Sequence, residues 1–190
     1  MPPRAKITKD MVVDAALAVL RRDGYERLNA RTAAAELGCS TQPVMSQFPA
    51  VEELRRAAYA RADGLHTDYL LRAGSGEDPL LGIGLNYIRF AVEEPQLFRF
   101  LFQSGYAAEK SLPEMLDSPA LTPILAAVGE EAGLDETGAR EVFRTLALFV
   151  HGYASILANN SLPFDEKQAA DQLERVFLGA VMAAGQEETT

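Results

Sequence analysis

Apolar residues recur along this chain at intervals of three and four, and no stretch alternates with period two for long. That spacing predicts helices throughout. Val12, Ala15, Ala16, Val19 and Leu20 make one stripe of a first helix over residues 8–23, with Thr8 as N-cap and Gly24 as a left-handed terminator. Tyr25 and Leu28 are expected to fold back toward that stripe. Asn29 caps a short second helix running through Leu37, Gly38 ends it, Ser40 caps a third, and Phe48-Pro49 closes the third. A longer fourth helix is predicted over 51–72, with Glu52 and Glu53 in the first turn, where the helix dipole favours acid.

The run from Gly74 to Pro79 is the clearest break. An apolar helix follows over 79–93, and Pro95 opens another through Phe102. Pro113, Pro119 and Pro123 cut residues 104–133 into short pieces, of which only 120–132 carries a helical pattern. Two strong helices over 135–159 and 165–185 finish the chain, separated by Asn159 to Pro163, with a frayed tail from Gln186 to Thr190. The expected fold is all-α: a three-helix head over 1–50 and a second helical domain over 51–190, in which 51–72 connects the two.

Composition changes this picture little. Hydrophobic residues make up 48% and charged residues 24%, as in an ordinary globular protein. No apolar run nears the roughly 20 residues that span a bilayer, and basic Met1 to Lys6 is not followed by a signal-peptide core. With one cysteine, Cys39, an internal disulfide is excluded, and the expected location is cytoplasmic, away from membrane. The net charge of −9 is unevenly spread: residues 1–65 hold ten Lys/Arg and eight Asp/Glu, the rest eight and nineteen. A mildly basic head on an acidic body permits contact with phosphate at one end.

Enzymatic chemistry finds little support. The two histidines lie far apart, no Gly-rich phosphate loop follows a strand, and no spacing suits a metal or cofactor. The pairs Glu93-Glu94 and Glu130-Glu131 diverge on a helix and read as solvated surface.

The informative stretch is Asn29 to Leu54, in which two short helices meet across a tight turn. Ala34 is small enough for close crossing, Gly38 supplies positive φ, and Cys39, Val44 and Phe48 are spaced to face the first helix. Ser40 is expected to leave a helix start whose amides suit phosphate. Thr41, Gln42, Pro43, Ser46 and Gln47 fall on the outer face; Gln pairs with adenine, and Thr or Pro packs on a thymine methyl in the major groove. Two short helices in an ordinary bundle would show the same spacing.

The stretch resembles the recognition unit of the tetracycline-repressor family. The likeness runs through the first helix, Gly24-Tyr25, and residues 29–54, with Gly38, Ser40, Phe48, Pro49, Glu52 and Leu54 at the family's pattern positions. Cys39 to Pro43 (CSTQP) resembles one subgroup more than the family average. The resemblance implies a DNA-binding regulator, most simply a ligand-released repressor of a pseudo-palindromic operator. It implies a backbone contact for Arg31 and places Ser40, Thr41, Gln42, Pro43, Met45, Ser46 and Gln47 on the DNA-binding surface. The chain departs from the family where Met45 replaces Tyr, Gln47 replaces His, Val51 replaces Lys and Ala50 replaces a polar cap. The Tyr and Lys positions carry phosphate contacts in the family. Arg4, Lys6 and Lys9 form an arm that either restores attraction to DNA or is simply solvated.

In the second half, aromatics cluster around 87–102. A plain core explains them, while the resemblance implies an effector pocket lined by Tyr87, Phe90, Phe98, Phe102 and Met115 for an apolar or aromatic small molecule. The last two helices carry broad stripes that include Phe143, Leu146, Val150, Ala154, Leu157, Leu173, Phe177 and Val181. The resemblance implies that they pair with a second copy, giving a homodimer that presents two recognition helices. His151 is expected at a packed, hydrogen-bonded position and His66 at an exposed or junctional one. The competing reading is a helical protein-interaction adaptor that has lost sequence-specific DNA binding, as Met45 and Val51 would suit.

Overall fold

The computed structural model describes residues 6–72, 78–106, 116 and 121–187. Among these the chain forms nine α-helices and no strand. They are α1 (Lys9–Asp23), α2 (Ala30–Glu36), α3 (Thr41–Gln47), α4 (Val51–Leu70), α5 (Pro79–Glu93), α6 (Pro95–Gln103), α7 (Thr122–Ala132), α8 (Glu136–Asn160) and α9 (Glu166–Glu187). Every helix predicted from apolar spacing is present, and a 3-10 turn over Tyr25–Arg27 is added. α9 runs on through Glu187, beyond the expected end. Arg4, residues 73–77, Pro113, Met115, Pro119 and residues 188–190 lie outside the described residues.

The chain packs as two units, residues 1–67 with 94–109, and residues 68–93 with 110–190. This division follows packing, and α6 therefore belongs with α1 rather than with the helices that follow it.

In the first unit, α1 is buried on more than its predicted stripe, since Val13 and Leu17 are covered as well as Val12, Ala16, Val19 and Leu20. The reason is that α2, α3 and α6 all pack against α1. Thr8 caps α1 by accepting from Met11 N at 3.3 Å. Gly24 ends it with φ +84° and ψ 169°, positive in φ but extended in ψ. That pair lies outside the left-handed helical region and is open essentially to glycine alone. Arg61 holds α4 to α1 through Asp10 and Asp14, each at 2.8 Å, and Arg21 reaches Glu94 at 2.9 Å. Exposed pairs of this kind add at most about 1 kcal/mol each, so the apolar core dominates the unit's stability.

The second unit sets α5 against α8 and α9, with α7 on the flank of α8. Gly84 lets α5 approach closely: a Cβ there would stand 2.5 Å from Cδ2 of Leu173 and 3.7 Å from Cγ2 of Val150. Asp135 caps α8 by accepting from Gly138 N at 2.8 Å, and Ser161 ends it in the left-handed region at φ 51°. Asn86 is buried, and its amide donates to the carbonyls of Leu70 and Arg72 at 3.2 and 3.0 Å. It thereby satisfies backbone acceptors at the end of α4.

Candidate nucleic-acid interface

Residues 29–48 form two short helices across a glycine turn. The Asn29 side chain accepts from the amides of Arg31 and Thr32 at 2.9 and 3.1 Å, and the Thr32 hydroxyl accepts from Asn29 N at 3.0 Å. This reciprocal capping box fixes the start of α2. Ala33 and Ala34 are buried where α3 crosses, and Gly38 turns the chain at φ +62°. Val44 and Phe48 are buried and seat α3, while Cys39 is half-covered. Ser40 occupies the N-cap position of α3, yet its hydroxyl makes no capping hydrogen bond.

The outer face of α3 differs in two places from the sequence expectation. Ser46 turns its hydroxyl back to donate to Gln42 O at 2.9 Å. Gln47 is partly covered, and its amide donates to Ile7 O at 3.2 Å, tying the segment before α1 to the recognition unit. Its donor is therefore engaged within the chain. Thr41 and Gln42 are exposed, Pro43 is half-covered, and Met45 is 51% exposed. Val51, 38% exposed, opens α4. No side chain of α3 is charged.

Most nearby cations are committed. Arg22 lies 2.9 Å from Asp23 and 2.8 Å from Glu36, which together hold its guanidinium above the usual arginine range. Arg55 donates to Leu28 O at 3.0 Å, and Lys9 sits 5.6 Å from the centre of the Phe48 ring. Arg31 is exposed and enters no ion pair among the described residues. It can therefore meet an incoming anion without breaking an existing pair.

The aromatic set expected to line a pocket is shared between the two units. Phe98 and Phe102 pack at 4.9 Å in the first. Tyr87 and Phe90 belong to the second, where Phe90 is buried against Tyr69 at 5.4 Å. Met115 is outside the described residues. The Tyr87 hydroxyl lies 2.8 Å from His151 Nδ1. Burial raises the Tyr87 phenol and lowers His151, so both are neutral at pH 7 and share one hydrogen bond whose direction follows the imidazole tautomer. His66 is buried rather than exposed, edge-on to Phe102 at 5.3 Å, and desolvation pulls it down to about 4.

The apolar stripe assigned to a subunit interface also needs revision. Leu146, Val150, Ala154, Leu157 and Leu173 are buried within the chain itself, because this stripe faces α5 and the α8–α9 contact. Phe143, Phe177 and Val181 are partly covered. A second stripe on the same two helices remains open: Leu148, Ile156, Leu178 and Met182 are 50, 58, 60 and 68% exposed. Gly152 and Gly179 lie on those helices too, and a Cβ at either would meet nothing within 4 Å.

The described residues are helical, with a capped helix-turn-helix in one unit and long helices in the other. A family model described as the tetracyclin repressor-like C-terminal domain matches residues 80–180, more than half of the chain, and the chain belongs to that family, one of transcriptional regulators and not of enzymes. Solved structures with a similar fold include a TetR-family transcriptional regulator from Streptomyces coelicolor, with TM-score 0.72 and 18% identity over 94% of this chain and 82% of that one. A TetR-like transcriptional regulator from Rhodococcus sp. RHA1 gives TM-score 0.67 and 17% identity over 94% and 97% of the two chains. A TetR-family member from Streptomyces coelicolor A3 gives 0.59 and 23% over 88% and 96%. No curated protein matches the chain. Among the described residues no helix is long and apolar enough to cross a membrane.

Proposed function

We propose that this protein is a ligand-responsive transcriptional repressor that binds a pseudo-palindromic operator as a cytoplasmic homodimer, in the subgroup marked by Cys39 to Pro43. The observation that carries this reading is the α2–α3 unit itself. Its helix start is held by a full capping box, its turn by Gly38, its α3 face exposes Thr41 and Gln42, and Arg31 on α2 is exposed and in no ion pair among the described residues. On this reading residues 1–50 act as the DNA-binding head, Arg31 positions the head on phosphate, and α3 reads the major groove. The effector enters the second unit beside Tyr87 and Phe90, and its apolar body is oriented by the Tyr87–His151 pair. The subunits meet through the open stripe of Leu148, Ile156, Leu178 and Met182.

Ligand binding favours a separation of the two heads that no longer matches successive major grooves. Linkage then requires operator DNA to weaken the ligand by the same factor as the ligand weakens DNA. The test is a salt-titrated mobility shift of the purified protein on DNA flanking its own gene. Saturable, salt-sensitive retardation is expected. No retardation at low salt would favour the adaptor reading, which the exposed apolar side chains of Met45 and Val51 otherwise suit.

A further inference from the structure

We infer that α3 reads an A·T-rich half-site core, with Gln42 on an adenine edge and Met45 on a thymine methyl. This rests on the operator-binding reading above and specifies the base composition that this particular face recognises. Its physical basis is what each outer side chain has left to offer.

Thr41, Gln42, Met45 and Ser46 form one patch, because residues four apart in a helix are neighbours. Ser46 gives its hydroxyl proton to Gln42 O, and Gln47 gives an amide proton to Ile7 O. Two of the polar groups on α3 are thus held by the chain's own backbone. Gln42 is exposed and carries a carbonyl and an amine side by side, the arrangement that meets adenine N6 and N7 together. Met45 projects a flexible thioether with half its surface in solvent, and the apolar feature in the major groove is the thymine 5-methyl group.

What α3 lacks is equally directive. Guanine is most often read by Arg or Lys reaching O6 and N7, and cytosine by Asp or Glu accepting from N4. The helix Thr41–Gln47 contains no Arg, Lys, His, Asp or Glu. A G·C pair facing Met45 would bury unpaired polar edges against an apolar side chain, which is disfavoured. The face therefore selects by its apolar group and one amide, with no charge.

The experiment is selection from a randomised duplex library by the full-length protein at low salt. Single thymine-to-deoxyuridine replacements in the enriched site then follow, with wild type and Met45→Ala compared. The enriched half-site is expected to be A·T-rich at its core. Removing one thymine methyl should weaken wild type about fourfold, the worth of one buried methyl-sized group, and leave Met45→Ala unchanged. Met45 is half in solvent, so the variant should fold, and a thermal melt checks this. A G·C core, or equal methyl sensitivity in both proteins, overturns the inference and leaves the regulator standing. A library from which nothing is enriched removes DNA binding itself, and the inference with it.

Discussion

The phenol of Tyr87 on α5 and Nδ1 of His151 on α8 stand 2.8 Å apart, joining two helices through one neutral hydrogen bond. Tyr87→Phe keeps the ring and removes the hydroxyl, while His151→Phe removes the ring nitrogen it meets. Each variant should destabilise the protein, and a double-mutant cycle in urea should give a coupling of about 0.5–1.5 kcal/mol. A coupling near zero would mean that solvent satisfies both groups equally well.

Acid should unfold this protein earlier than its carboxylates alone would require. Buried His66 titrates near 4, below the roughly 6.5 of an exposed histidine. Between those values the unfolded chain binds a proton that the folded chain refuses. Stability is then full above pH 6.5 and declines as pH falls toward 4, by up to about 3 kcal/mol from this group. His151, also lowered by burial, adds in the same direction. Melting temperatures from pH 8 to 4 should show the decline, and His66→Gln should flatten it. A parallel decline in the variant would assign the effect to other groups.

The two stripes of α8 and α9 should respond differently to charge. Leu148→Asp with Leu178→Asp places charge on the open face, and the expected product is a folded monomer by sedimentation. Leu146→Asp places an unpaired charge in the chain's own core, and it should fail to fold at a cost of several kcal/mol. A wild type that sediments as a monomer at micromolar concentration would contradict the dimer.

These stripes also show where the sequence was legible and where it was not. Spacing located α1 to α9 because each apolar stripe recurs with the helical period, and capping residues such as Thr8 and Asn29 marked true starts. A 25-residue helix such as α8, however, carries apolar groups on more than one face. Periodicity alone does not say which face its own chain takes, so Leu146 and Leu148 were not distinguishable. Gln47 was legible as an amide near the outer face of α3, but its partner, Ile7 O, lies 40 residues away in sequence. Asn86 is the same case: a lone Asn in an apolar helix gives no signal of the carbonyls of Leu70 and Arg72 that it meets.

Val51 tests how the head docks. It opens α4 with 38% of its surface exposed, where lysine can be carried without burial. If phosphate lies beside it, Val51→Lys adds one contact per subunit. The log–log salt slope should then steepen by about 1.8 per dimer, at about 0.9 per phosphate. Affinity should rise on operator and random DNA alike. An unchanged slope in a normally melting variant would mean that the head meets DNA in another orientation.

The division of labour between Gln42 and Arg31 is tested by a salt-titrated binding isotherm of each alanine variant, on the selected operator and on random DNA. Gln42→Ala should weaken the operator by about 1–3 kcal/mol, with random DNA and the salt slope unchanged. Arg31→Ala should weaken both DNAs evenly and flatten the slope, because it removes a phosphate contact. That pair of results is what a regulator reading bases through α3 and backbone through α2 must give. Two variants with indistinguishable effects, or a wild type with equal affinity for operator and random DNA, would contradict it.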